Sequence, residues 1–297
     1  MRVSCLVRAP LKFRGSAFGV GFSVDGDSST LVQEARVRMP PSWRPGRAGR
    51  PRRAYALVHG ADGVLVTSDG VTLGRGLSHL GALDVLESDL QLFVAQHSRA
   101  FVFVHAGVVG FQGRALMLPG TSGAGKTTLV RALLEAGATY YSDEYALLDS
   151  HGRIHPYPRA LSVRSADGQK DRVPVSPALA PIGTEPLPLG FVVLTEYFKR
   201  GRWQPKALGR GELALALLTN TVPARERPAE VLATLARAVS EAEGFRSVRG
   251  SAKRAAEALL RLAEGASRGA SLPNHVCSAR FRTAAPSPRR PVPGGRR

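Results

Sequence analysis

The chain reads as an α/β protein: a central mixed sheet with a phosphate-binding loop at its edge, joined to a smaller β-rich N-terminal region. Three observations predict this. The apolar run "RALMLPG" leads into "GTSGAGKT", Gly120 to Thr127, which fits G-x-x-x-x-G-K-[ST] and is followed by an amphipathic helix. Strand-like runs and helical patterns then share the rest of the chain, as layered α/β architectures require. The N-terminal residues instead carry short strand-like runs separated by Gly and Asp turn signals.

Taken in order, "YALVHG", "GVLVTSDG" and "VTLGRGL" have strand composition. A helix is expected over Ala82 to Ser98, where Leu83, Val85, Leu86, Leu90, Phe93 and Val94 keep three-to-four spacing. "AFVFVHAGVVGF" and "RALMLPG" are expected as adjacent buried strands. Lys126 to Ala136 is the helix after the loop, stopped by Gly137. "ATYYSDEYALLD" gives a strand pair around an acidic turn, and "GFVVLTEYF" a further strand. Helical patterns follow in "GELALALLTNTV", in "RPAEVLATLARAVSEA" and from Ser251 to Glu264. Disorder is expected around Pro40 to Arg53 and after Ala266.

Composition narrows the function. No run reaches the roughly 20 apolar residues that cross a bilayer. Arg8, Lys12 and Arg14 interrupt the N-terminus, so a secretory signal is not expected. Cys5 and Cys277 lack metal-ligand spacing, and a reduced cytoplasmic setting is the simple reading. The net charge of +18 invites nucleic acid as a partner. Much of the excess, however, sits in Arg36 to Arg53 and in the tail after Glu264, both poor in aromatics. Such segments lack stacking platforms for bases, so neither nucleic acid nor a membrane is the expected partner.

The loop carries the chemistry. Gly120, Thr121, Ser122, Gly123, Ala124, Gly125, Lys126, Thr127 and Thr128 form the expected nucleotide cradle. Its glycines let successive N–H groups point at phosphates, and the following helix adds its positive end. Lys126 supplies a cation for the β- and γ-phosphates, and the Thr127 hydroxyl ligates Mg²⁺. No apolar strand ending in a metal-binding Asp stands at the usual distance. Asp143 and Glu144 come instead directly after the loop helix and a short strand. Phosphoryl transfer to an alcohol needs a carboxylate to accept the hydroxyl proton. Neighbouring side chains on a strand point to opposite faces, so a turn is required for both acids to reach one site. His105 ends "FVFVH" before "AG" and is a weaker candidate, and His155 is weaker still.

In combination, "VHAG", "GTSGAGKT" and "SDE" resemble the catalytic domain of the HPr kinase/phosphorylase family, in the same order and at similar spacing. The loop and acids are also similar to those of ATP-dependent phosphoenolpyruvate carboxykinases. The resemblance covers about Phe101 to Arg164, and Gly190 to Glu264 resembles the C-terminal part of HPr-kinase-like proteins. It implies a nucleotide-binding core of the HPr kinase/carboxykinase type, with ATP and Mg²⁺ as cofactors. Lys126 would bind phosphate, Thr127 and Glu144 the metal, Asp143 would take the proton from a serine hydroxyl, and His105 would assist it. "LSVRSADG" departs from the family's E-[IV]-R-G, with Ser162 and Ser165 replacing its acid and glycine. That departure withdraws a second metal ligand and the phosphorylase activity from what the resemblance implies. The family's N-terminal regulatory domain is not recognisable either.

On this reading, 1–95 is an N-terminal α+β region, 96–265 the kinase-like domain and 266–297 a basic disordered tail. The leading expectation is an ATP-dependent kinase acting on a serine hydroxyl of a protein or peptide. A small-molecule kinase or carboxykinase-like enzyme comes second, and would need anion-binding arginines such as Arg159 and Arg164 in a closed pocket. A non-catalytic ATP sensor is the third. HPr kinases form rings, so a homo-oligomer is allowed by the resemblance, and the oligomeric state stays open.

Overall fold

Hydrophobic alternation begins earlier in the chain than the obvious strand runs. The computed structural model describes residues 11–46, 51–120, 125–164 and 170–267. The tail beyond 267 and the loop residues Thr121, Ser122, Gly123 and Ala124 lie outside them. Strands β1 (Leu11–Ala17) and β2 (Val20–Gly26) form a hairpin that buries Phe13, Ala17, Val20, Phe22 and Val24. Its two-residue turn places Phe18 at φ 50° and Gly19 at φ 80°. Two positive-φ residues match the twist of a tight hairpin. Phe18 tolerates the left-handed conformation because its ring packs on Phe101, Phe103 and Tyr157.

Helix α1 (Ser29–Val37) follows, its first turn capped by the Ser28 hydroxyl, which accepts the Leu31 N–H. Next come β3 (Arg44–Pro45), β4 (Arg53–Gly60), β5 (Gly63–Ser68) and β6 (Val71–Leu77). They complete a six-stranded sheet in the order β3-β1-β2-β4-β5-β6. The disorder expected from Pro40 to Arg53 is corrected here. Residues 40–46 are placed by Trp43, whose ring lies 5.7 Å from Phe13 and 6.4 Å from Phe22. Pro45 sits on an edge strand, where a missing N–H costs no ladder bond. Arg53 already belongs to β4, and 47–50 lie outside the described residues. Helix α2 (His79–His97) starts three residues before Ala82, because Ser78 accepts the Gly81 N–H at 3.1 Å.

The second sheet is assembled from β7 (Val102–Phe111), β8 (Arg114–Pro119), β9 (Thr139–Ser142), β10 (Tyr145–Leu148) and β11 (Arg153–His155). The β12–β13 pair (Leu161–Arg164, Lys170–Val173) stands apart, and β14 (Leu187–Tyr197), β15 (Lys206–Leu208) and β16 (Glu243–Arg249) finish the main sheet. Its order is β11-β10-β7-β8-β14-β16-β15, with β9 also on β7. β8, β14 and β16 run parallel and the other pairings are antiparallel, so the sheet is mixed, as expected. The loop was expected at the sheet edge. It instead leaves β8 in the sheet interior, because the apolar run of β14 pairs alongside and covers it.

Helices α3 (Lys126–Glu135) and α6 (Ala252–Ser267) cover one face, through Leu129, Leu133 and Leu259. Helices α4 (Arg210–Leu218) and α5 (Pro228–Ala238) cover the other, through Leu213, Leu217 and Leu235. Gly137, at φ 99°, follows the C-cap of α3 as the sequence predicts. The core of the first sheet continues into the second through Phe103, Tyr145, Leu147 and Tyr157. That shared core brings α2 beside the acidic turn.

Candidate functional site

The acids are positioned by an interrupted strand. β9 and β10 do not pair with each other, as a simple hairpin reading of "ATYYSDEYALLD" would have it. Both pair antiparallel with β7: β9 along Val108 to Gly110, and β10 along Val102 to His105. They form one line of chain along β7, broken at Asp143 and Glu144. The Ser142 hydroxyl holds the break by accepting the N–H groups of Glu144 at 3.1 Å and Tyr145 at 3.0 Å. The chain bends at Asp143 and Glu144, while Ser142 and Tyr145 on either side keep one register with β7. This bend supplies the turn required for adjacent acids to face one site.

β7 brings His105 next to this bend, where Nε2 lies 3.5 Å from Glu144 Oε1. Burial, then the nearby Lys126 ammonium, lowers the His105 pKa to about 4. The imidazole is therefore neutral near pH 7, and the contact with Glu144 is polar rather than an ion pair. His105 Nδ1 is buried without a hydrogen-bond partner. Its backbone also fixes the loop: the carbonyl accepts Gly120 N–H at 3.2 Å, and its N–H donates to Asn220 at 2.7 Å.

Thr127 and Lys126 lie on the first turn of α3. The Thr127 hydroxyl donates to Asp143 Oδ2 at 2.8 Å, and Lys126 Nζ donates to the Gly120 carbonyl at 2.7 Å. Asp143 is 7% exposed, and its Oδ1 has no hydrogen-bond partner. Burial raises its pKa to about 6, against the lowering pull of the Thr127 and Ser162 hydrogen bonds. Such a carboxylate is ionised near neutrality and can still take a proton. The sequence-predicted Lys126, Thr127, Asp143, Glu144 and His105 thus converge. Thr128 follows on α3, and of the loop proper Gly120 and Gly125 are described. His155 stands away from this group and pairs with Asp149 at 2.9 Å.

Among the described residues, no group of three or more His, Cys, Asp or Glu forms a metal cage. Mg²⁺ does not need one, since it keeps waters and is held by one or two carboxylates plus substrate phosphates. The Thr127 hydroxyl and the Glu144 carboxylate, on either side of Asp143, fit that pattern.

A cavity of 380 Å³ opens from these acids toward α2, lined by His105, Asp143, Glu144, Ser162, Arg159 and Glu87 among others. Glu87 is 2% exposed and is the hub of its far wall. Arg159 pairs with it, Arg172 Nη1 donates to it at 2.6 Å, and Arg38 Nη1 lies 3.7 Å away. Arg172 and Arg38 also reach Asp84, at 3.3 and 2.5 Å. Burial, then the neighbouring Arg172 and Arg38, lowers the Arg159 pKa to about 10. Arg159, one of the arginines that a metabolite acceptor would need, lines the cavity, but its guanidinium is engaged by Glu87. The side chain of Arg164 lies outside what the structure describes.

Arg249 was not legible as a site residue. It ends β16, is 2% exposed, and donates from Nη2 to the Gly125 carbonyl at 2.7 Å. Gly125 adopts φ 78°, and a Cβ there would collide with Arg249 Nη2. Gly125→Ala is expected to cost about 1–3 kcal/mol, from left-handed strain and the displaced buried bond. Denaturant unfolding of the two proteins measures this loss.

The fold and site define a mixed α/β protein in which a bend carrying two carboxylates faces the junction of β8 and α3. No family model and no curated protein matches the chain. Among solved structures, it is similar to the Hpr(Ser) kinase/phosphatase from Coxiella burnetii, at 11% identity and a TM-score of 0.30. The match spans 56% of this chain and 91% of that one. A similarity of that size is weak and carries no functional assignment. No described helix is long and apolar enough to cross a membrane.

Proposed function

We propose that the chain binds MgATP on Gly120 to Thr127 and transfers the γ-phosphate to a serine hydroxyl of a protein or peptide. The observation that carries this reading is the placement of Asp143. Its Oδ2 is held by Thr127 while Oδ1 is unpartnered, and the residue lines the 380 Å³ cavity.

In this mechanism Lys126 binds the β- and γ-phosphates, and the N-terminal end of α3 faces their charge. Bound Mg²⁺, held by Thr127 and Glu144, would neutralise charge on the phosphates. The acceptor hydroxyl enters the cavity and donates its proton to Asp143 Oδ1 as its oxygen attacks the γ-phosphorus, and the bond from that phosphorus to the β,γ-bridging oxygen breaks, so that ADP leaves. The neutral His105 limits the positive charge beside Asp143, which leaves the carboxylate free to act as base. A cavity of this volume suits one side chain or a small metabolite.

Engagement of Arg159 and Arg172 by Glu87 favours a serine side chain over a free anionic metabolite, which would require those cations. A small-molecule acceptor is the second reading, supported by the presence of Arg159 and Arg172 in the cavity wall. The test is label transfer from γ-labelled ATP, with Mg²⁺, into the proteins and peptides of a cell extract. Labelled macromolecules that vanish with Lys126→Ala support the kinase. Label confined to a small molecule moves the reading to the second acceptor class, and bound but unconverted ATP moves it to a sensor.

A further inference from the structure

We propose that Tyr197, at the end of β14, is the stacking platform for the base of the bound nucleotide. This inference rests on the reading that Gly120 to Thr127 grips a polyphosphate. β8, which feeds that segment, has β7 on one side and β14 on the other. His105 and the acidic bend occupy the β7 side, where the γ-phosphate must react. The parallel strands β14 and β16 end on the opposite side, at the same end of the sheet as β8. In open α/β sheets, ligands lie across the carboxyl ends of the strands.

The loop is pinned in the same sense. Its first residue, Gly120, bonds to β7 through His105, and Gly125 bonds to β16 through Arg249. A triphosphate with its γ-group at the acids therefore runs toward Arg249, and its base emerges beside Tyr197. A Cβ built on Gly125 lies 3.9 Å from Tyr197 Cβ.

Tyr197 is built for this use. Its side chain is 60% exposed, and that of the adjacent Phe198 is 65% exposed. The Arg249 guanidinium lies 5.6 Å from the Tyr197 ring centre, a cation–π contact that braces the ring. The Arg249 carbonyl accepts Phe198 N–H at 2.9 Å, which fixes the strand end. A braced ring left open to solvent stacks on any base and reads none by hydrogen bonding, so the ligand class is a nucleoside triphosphate of any base.

The test is calorimetric binding of MgATP and of Mg²⁺-tripolyphosphate to the full chain and to Tyr197→Ala and Tyr197→Phe. Tyr197→Ala is expected to weaken ATP about tenfold or more and to leave tripolyphosphate unchanged, because stacking is lost and phosphate binding is not. Tyr197→Phe keeps ATP affinity. Equal weakening of both ligands by Tyr197→Ala would overturn the proposal, since the ring would then only support the loop. Unchanged ATP affinity would also overturn it while leaving the polyphosphate site standing. Failure of wild type to bind either ligand removes the nucleotide reading itself.

Discussion

Asp143→Asn is expected to lower phosphoryl transfer by roughly 10²- to 10⁴-fold, the usual contribution of a positioned general base. The substitution preserves size, and an amide oxygen can still accept the Thr127 hydroxyl that now bonds Oδ2 at 2.8 Å. The remaining position, occupied in the wild type by the unpartnered Oδ1, then becomes an NH₂ group. An NH₂ donates and cannot receive the acceptor proton. ATP binding should be nearly unchanged, because the contacts assigned to phosphate come from Lys126 and the loop. Measured kcat and nucleotide Kd separate the two effects. A fall in affinity as large as the fall in kcat would instead make Asp143 a nucleotide-site support.

Glu87→Ala is expected to cost about 3–5 kcal/mol, the typical loss when one partner of a buried ion pair is removed. Arg159, Arg172 and Arg38 converge on this carboxylate, and Arg159 is itself largely buried. Without Glu87 these cations face one another, with Asp84 their remaining anion. The expected melting temperature falls by on the order of 10 °C. Because Glu87 lies on α2 while Arg159 and Arg172 belong to the second half of the chain, the loss should also loosen the far wall of the cavity. Arg172→Ala should cost much less, since that side chain is 40% exposed and water replaces part of its pairing. Equal losses for the two variants would mean that the network is not centred on Glu87.

What was legible in the sequence was local. The strand, Gly-rich loop and helix lie within one short stretch, so composition and spacing predict them without knowledge of the rest of the chain. The acids were legible as a pair, but their geometry was not. Both reach the site because β9 and β10 add to one strand, β7, with a bend between them. Pairing with a strand some forty residues earlier leaves no mark in "SDE" itself, although the Ser before two acids is compatible with a side-chain-capped turn. Phe18, in a hairpin that the sequence reading did not anticipate, overrode turn propensity through its tertiary contacts with Phe101 and Phe103. Trp43 did the same for a proline- and arginine-rich stretch that reads as disordered. Arg249 and Glu87 are reached only through folding: their bonds join residues 124 and 85 positions apart. No periodicity distinguishes them from surface charge.

The most direct measurement is the chemical form of the label released from γ-labelled ATP by wild type and by Asp143→Asn. Both proteins are incubated with Mg²⁺ and the same extract, and the products are resolved by mass spectrometry. Phosphoserine on a protein or peptide with wild type, and its loss with Asp143→Asn, is the expected result. Inorganic phosphate released at equal rates by both proteins, with no phosphorylated acceptor, would contradict transfer by Asp143 to a hydroxyl.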